Sequence, residues 1–221
     1  HYTVGTKLSK LDSPSAQRNK EPIWKVIESS VLPSLMAGST PSPTFNVLEI
    51  AAGTGLHAQY LSSQMTRSKR FFSELCWIPA DTDEAYLASI QAYRDEDQVL
   101  SKIVQEPVRL TLNETGIVEQ PTVLLLQDIA FDIIININMI HISPWEATIG
   151  LMKVATQELR TGGILFLYGP FKVHGKCVES NLYVSVALYT APLFFSKTCI
   201  VNLTLLCGKE MKHGVFGIWK L

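Results

Sequence analysis

Glu49, Gly53, Gly55, Asp81 and His141 are the residues whose type and setting suit chemistry. The first three lie in the stretch Phe45–Ala58, which reads Phe-Asn-Val-Leu-Glu-Ile-Ala-Ala-Gly-Thr-Gly-Leu-His-Ala. Val47, Leu48 and Ile50 suit a buried parallel strand, and Gly53 and Gly55 suit a turn that needs positive φ and a bare backbone. Leu56 to Gln64 then reads as a helix whose first amides point at whatever sits over the glycines. Strand, glycine turn and helix together form the nucleotide-binding corner of doubly wound α/β proteins. Gly53-x-Gly55-x-x-Ala58 meets the loose dinucleotide fingerprint, with Asp81 and Asp83 at about the distance expected for ribose recognition. Glu49 weighs against that reading. A carboxylate in an apolar strand is costly unless paired, so it points to a functional partner; a solvated strand end is the bland alternative. Asp81 and Asp83 could equally be helix caps. His141 is a candidate general base, with a satisfied core histidine as its alternative.

The elements that must position these groups alternate along the chain. Residues 1–12 are polar and unpatterned and read as a mobile end. Trp24–Leu32 carries Val26, Ile27 and Val31 at helical spacing, and Pro33–Pro43 reads as a loop. Leu75–Pro79 is a second apolar run, Glu84–Arg94 a helix, and Val108–Leu112 a third strand. Thr122–Leu126 is apolar and has no assigned place. Phe131–Asn138 is an isoleucine-rich buried strand. Pro144–Arg160 is a helix with Thr161-Gly162-Gly163 as its stop, and Ile164–Tyr168 is another strand. Alternating strands and helices with short links predict a mostly parallel α/β sheet.

Composition narrows the class further. A chain of 221 residues is long enough for one well-buried α/β domain. A net charge of -1 gives no basic field for nucleic acid. The four cysteines, Cys76, Cys177, Cys199 and Cys207, form no C-x-x-C pair, which argues against a zinc site or a disulfide framework and suits a reducing, cytoplasmic setting, with the nucleus also open. The opening His1, with no charged-then-apolar leader after it, reads as a truncated or processed start. Residues 182–206 are almost continuously apolar up to Phe195, but Pro192, Lys197 and Asn202 interrupt them. Such a run reads as buried core rather than a membrane span of about 20 residues.

Five stretches carry a more specific resemblance. They are Ser13–Ile23, Leu48–Ala58, Trp77–Asp83, Asn138–Thr148 and Gly162–Lys172. In order and spacing they are similar to the class I S-adenosylmethionine-dependent methyltransferases, and within them to the group that includes methyltransferase-like protein 26 and its bacterial relatives. The resemblance runs from Ser13 to Asn181. It implies a Rossmann-like class I methyltransferase domain over 13–181 and a site for S-adenosyl-L-methionine. It places Glu49, Ala51, Gly53, Thr54 and Gly55 at the cofactor's amino-acid end, and Asp81, aided by Asp83, at its ribose. Arg18 and Asn19, just before a helix, would fold over the cofactor, with a surface capping segment as the alternative. Asn138 joins the cofactor residues, and Asn138, Tyr168 and Lys172 share the carboxyl edge with the base candidate His141, where they could orient the acceptor.

Three departures from the family are visible. Thr111 stands where an acidic residue is usual after Pro107-Val108-Arg109-Leu110, and residues 113–127 are longer and more apolar. After Asn181 the atypical segment 182–221 replaces the expected final strands, so the last strands are expected to be missing or altered. The reading is therefore a methyltransferase of unknown small-molecule or peptide acceptor. A degenerate, binding-only protein is the alternative, and an NAD(P)-dependent oxidoreductase ranks third. Oligomeric state is not legible.

Overall fold

A computed structural model describes residues 9–37, 43–67 and 73–169, together with the backbone of strands 185–190, 204–207 and 210–213. Lys172 and most of the apolar stretch 182–206 lie outside the described residues.

The most apolar runs of the chain form the middle of a six-stranded sheet. Strands β1 (Thr44–Ile50), β2 (Glu74–Asp81), β3 (Val108–Arg109), β6 (Phe131–Ile137), β7 (Leu159–Gly169) and β8 (Ser185–Thr190) take the order β3-β2-β1-β6-β7-β8. The first five are parallel and β8 runs antiparallel to β7. All seven residues of β6 are buried, as expected for a central parallel strand covered on both faces. Two antiparallel ribbons lie outside this sheet: β4 (Leu112–Asn113) with β5 (Gly116–Ile117), and β9 (Thr204–Cys207) with β10 (Glu210–His213).

Helices cover both faces, which makes the fold doubly wound. On one face, α1 (Pro14–Val26), a π-helical turn (Ile27–Val31), α2 (Leu32–Ala37), α3 (Leu56–Arg67) and α5 (Leu100–Ile103) pack on Val47, Trp77, Ile133, Ile135, Ile137, Phe166 and Tyr168. On the other, α6 (Gln120–Leu126), α7 (Trp145–Glu158) and the β4–β5 ribbon pack on Leu48, Ile50, Ile78, Ala80, Ile134, Leu165 and Leu167. Helix α4 (Glu84–Glu96) leads away from β2. Side chains alternate along a strand, so Glu49 and Asp81 share the face of Val47, Trp77 and Tyr168. Among the described residues no helix is long and apolar enough to cross a membrane.

Several sequence expectations change at their boundaries. The first helix begins at Pro14 rather than Trp24, because Ser13 Oγ accepts from the Ala16 N–H and Pro14 takes the first turn. It also does not stop at Pro33. The π-helical turn ahead of that proline, where Leu32 N–H bonds Ile27 O, carries the chain into α2 as far as Ala37. The expected strand Val108–Leu112 divides: Val108–Arg109 pair with β2, while Leu112 turns back into the β4–β5 ribbon. That ribbon packs on α7 so closely that a Cβ on Gly150 would fall 2.2 Å from Asn113 O. The unplaced Thr122–Leu126 forms most of α6, with Leu126 turned inward. The helix expected to reach Arg160 ends at Glu158, and Thr161-Gly162-Gly163 falls inside β7. Between Phe131 and Ile133 on β6, β7 advances from Leu159 to Ile164, a bulge closed by an Arg160–Asp132 ion pair.

Candidate cofactor site

The connections leaving β1 and β6 diverge, α3 to one face and α7 to the other, and open a crevice at the carboxyl ends of the strands. Ile50 pairs with Asn136, so the two strands end side by side. The residues just past those ends, Ala51 (φ 58) and Asn138 (φ 60), are the non-glycine residues with positive φ among the described residues. An L-residue there costs about 1–2 kcal/mol, and such outliers gather at ligand clamps.

The glycine turn is built by close approach. Gly53 (φ 57) and Gly55 (φ 92) both adopt the left-handed side, and a Cβ on Gly55 would lie 2.9 Å from Ile90 Cα on α4. Gly55 N–H bonds Ala52 O at 3.2 Å, and Ala52 N–H bonds Ala80 O at 3.0 Å, which ties the turn to β2. Ser89 on α4 joins the turn to the N-terminal segment: its Oγ donates to Thr54 O (2.7 Å) and accepts from Leu11 N–H (2.8 Å). Tyr93 Oη donates to Leu11 O, and Ala16, Leu56 and Tyr93 pack together beside it. Residues 11–19 therefore run from α4 past the turn to α3.

Two buried carboxyl groups flank this turn. Glu49 accepts a hydrogen bond from Trp77 Nε1–H at 2.9 Å. Burial pushes its carboxyl up to about 8, against the lowering effect of the Trp77 bond and with a further push from nearby Asp81. Asp81 ends β2, with Oδ2 accepting from Gly53 N–H (2.8 Å) and Oδ1 from Asp83 N–H (3.0 Å). Burial raises its carboxyl, while those backbone donors and that of Thr82 restrain the rise. Asp83 is exposed and caps α4, its Oδ1 accepting from Ala85 N–H at 2.7 Å. Of the two aspartates, Asp83 is thus the cap and Asp81 the carboxylate at the turn.

The remaining expected residues are placed unequally. Asn19 is buried, while its neighbour Arg18 is exposed on α1. Asn138 N–H bonds Tyr168 O at 2.8 Å, linking the ends of β6 and β7. His141 is exposed in the turn Met139–Ser143, where Ile142 and Ser143 N–H groups both bond Met139 O. Ile142 and Trp145 lie exposed beside it.

Sequence reasoning missed three contributors. His57 follows the glycines in the Leu48–Ala58 stretch, where its type alone gives it no role; it is buried with Nε2 2.7 Å from Asn19 Oδ1. Trp77 looked like core and also bonds Glu49. Glu119 supplies an acidic group to the turn after Arg109, where Thr111 had seemed to remove one: its Oε2 accepts from Thr111 N–H at 2.7 Å. The signal for His57 was its position in the first turn after the glycines. Nothing local announced Glu119. Among the described residues no three His, Cys, Asp or Glu side chains gather to hold a metal ion. A separate cleft of about 480 Å³, lined in part by Thr44, Thr66, Glu74, Cys76 and Lys102, opens at the amino ends of β1 and β2, away from this edge.

Several solved structures are similar in outline. The CurJ carbon methyltransferase is 23% identical over 73% of this chain and 37% of its own, with a TM-score of 0.49. A putative class I S-adenosylmethionine-dependent methyltransferase from Listeria monocytogenes is 12% identical over 76% of this chain and 49% of its own, at 0.46. A putative protein-L-isoaspartate O-methyltransferase from Plasmodium falciparum, in complex with S-adenosyl-L-homocysteine, is 12% identical over 86% of this chain and 70% of its own, at 0.45. The chain spans less than two thirds of the first two. Every one of these scores is below 0.5, so the fold assignment stands on the strand order itself. The family model described as "Protein of unknown function (DUF938)" matches residues 10–188, and the chain belongs to that family.

Proposed function

We propose that the chain is an S-adenosyl-L-methionine-dependent methyltransferase, of the group that includes methyltransferase-like protein 26, acting on a small-molecule or peptide acceptor. One observation carries the reading: two buried carboxyl groups, Glu49 and Asp81, sit at the glycine turn, and Asp81 takes the Gly53 N–H. A dinucleotide's pyrophosphate needs free backbone N–H groups and positive potential over such a turn. Here the Gly53 and Gly55 N–H groups are both engaged, and acidic side chains stand beside them. That electrostatic setting suits a ligand carrying positive charge, such as an ammonium next to a sulfonium, and disfavours the oxidoreductase reading.

Bound S-adenosylmethionine would supply an already activated methyl group, so the protein's task is to orient the acceptor and exclude water. Orientation of this kind is worth up to ~7–11 kcal/mol in favourable cases. In this proposal Glu49 faces the amino-acid end and Asp81 the ribose hydroxyls. His141, at the mouth of the crevice, takes a proton from acceptors that carry one, an effect of about 10²–10⁴-fold. Exposed Ile142 and Trp145 give the acceptor an apolar surface to lie against.

The test is the melting temperature of the folded chain with S-adenosylmethionine. A ligand at 100 times its Kd stabilises by about 2.7 kcal/mol. A shift that saturates with cofactor supports the reading, and none at millimolar cofactor rejects it.

A further inference from the structure

Polar groups at the crevice divide by kind. Glu49 and Asp81 supply oxygens on the β1–β2 side. On the α1 side, Asn19, His57 and Tyr168 come from α1, α3 and β7, and each is more than nine-tenths buried, at 8%, 7% and 8% exposure. Glu49 and Tyr168 point to the same face of the sheet, the one α1 and α3 cover.

The direction of the hydrogen bonds among the three follows from elementary chemistry. Burial, with the nearby Lys20 charge, pushes the His57 imidazole down to about 4, so the ring is neutral and holds a single N–H. Its Nε2 faces the Asn19 carbonyl oxygen at 2.7 Å, and a carbonyl oxygen only accepts. Nε2 therefore carries the hydrogen and Nδ1 is bare. With Oδ1 held by His57, the Asn19 amide turns its N–H donors the other way, and Asn19 lies near enough to the Tyr168 phenol to lower a pKa that burial raises. The Tyr168 phenol, also buried, has an O–H of its own to donate. The His57–Asn19 bond thus runs from α3 to α1 and leaves the Asn19 N–H donors for another partner.

We infer that His57 is a positioning residue: by holding Asn19 Oδ1 it fixes the amide so that Asn19 Nδ2 and Tyr168 Oη offer donors to the carboxylate of the cofactor's amino-acid end, opposite Glu49. The inference rests on the cofactor reading above. It also adds something the sequence did not assign, a donor cluster and a histidine that orients it without touching the ligand. Three polar groups that merely satisfy one another inside the core would be the purely structural role, and it predicts different results.

The experiment compares S-adenosylhomocysteine with 5′-methylthioadenosine, the same nucleoside thioether without the amino acid. Both are titrated calorimetrically into the wild-type chain and into His57→Leu and His57→Gln. Gln retains an amide N–H that can reach Asn19 Oδ1, and Leu does not. His57→Leu is expected to weaken S-adenosylhomocysteine about ten- to hundred-fold and to leave methylthioadenosine within a few-fold. His57→Gln is expected to restore most of the loss. Equal weakening of both ligands, or no rescue by Gln, overturns the inference; the Gln comparison decides it should methylthioadenosine bind too weakly to titrate. An independent arm uses ¹⁵N NMR of the ligand-free protein, where His57 should be the neutral Nε2–H tautomer. The Nδ1–H tautomer would reverse the Asn19 amide and overturn it even if cofactor binds. A folded wild-type chain that binds neither ligand rejects the cofactor reading itself.

Discussion

Replacing Glu49 by glutamine separates what this residue does for the fold from what it does for a ligand. Its carboxyl is raised from 4.5 to about 8 by burial, so the folded state keeps a proton that the unfolded chain releases above about pH 4.5. The sign follows directly. Folded-state pKa lies above the unfolded value, so stability is full below pH 4.5 and falls until pH passes 8. The cost of Glu relative to an uncharged isostere is about 3 kcal/mol at pH 7 and about 5 kcal/mol above pH 9, both to order of magnitude. Glutamine keeps an oxygen for Trp77 Nε1–H and never ionises. Glu49→Gln should therefore be more stable than wild type, by an amount that is small at pH 5 and widens with pH. At about 2–4 °C per kcal/mol for a chain of this size, the gain in Tm is roughly 6–12 °C at pH 7. Urea melts of both proteins at pH 5, 7 and 9 measure the difference directly. Shared contributions, including those of His57, cancel to first order in that difference. A constant offset across pH, or a destabilised variant, would refute the account of Glu49 as a buried, costly acid. The same substitution should weaken S-adenosylhomocysteine by about one to two decades, because a charged partner is lost.

Other outcomes follow from the same geometry. Since Glu49 is mostly protonated at pH 7, binding a cationic amino-acid end should release close to one proton. Titrations in buffers of different ionisation enthalpy count it, and zero release at pH 7 would contradict the pairing. Asp81→Ala should weaken cofactor by about ten- to hundred-fold and, by leaving Gly53 and Asp83 N–H groups unpaired, cost about 1–3 kcal/mol of stability; unchanged affinity in a folded variant would remove Asp81 from the site. Gly55→Ala pairs a positive φ with contact at Ile90 Cα and should cost about 2–5 kcal/mol, read as a lower urea midpoint. His57, whose pKa is lowered to about 4 from 6.5, has the opposite linkage to Glu49. Its contribution is present above pH 6.5 and lost as pH falls toward 4, so His57→Gln should flatten the acid limb of the stability profile by about 3 kcal/mol.

What could be read in advance depended on how local each signal was. The corner at Phe45–Ala58 was legible because strand, turn and helix follow one another within it, and each has its own residue signature. Phe131–Ile137 was legible because an unbroken apolar run has few alternatives. By contrast, Val108–Leu112 looks like one strand whether or not its second half turns back toward Ile117. Pro33 reads as a stop, and only the π-helical turn before it lets the helix continue. Thr161-Gly162-Gly163 does lie just past the end of a helix, but local chemistry cannot show that β7 has already started at Leu159. At the site, Glu49 stood out as an acid ahead of the glycines and Asp81 as one ending the next strand. The pairing of Asn19 with His57 joins residues far apart in sequence and exists only once α1 packs on α3. Glu119 reaches Thr111 in the same way, through a fold-level turn. Long-range partners were the unread part.

Competition calorimetry tests the central claim most directly. S-adenosylhomocysteine is titrated into the folded chain alone and in the presence of millimolar NADH or NADPH. The account predicts saturable one-to-one binding that neither dinucleotide displaces. No heat at millimolar S-adenosylhomocysteine, or its displacement by a dinucleotide, would contradict the assignment of this glycine turn and its two carboxyl groups to an S-adenosylmethionine site.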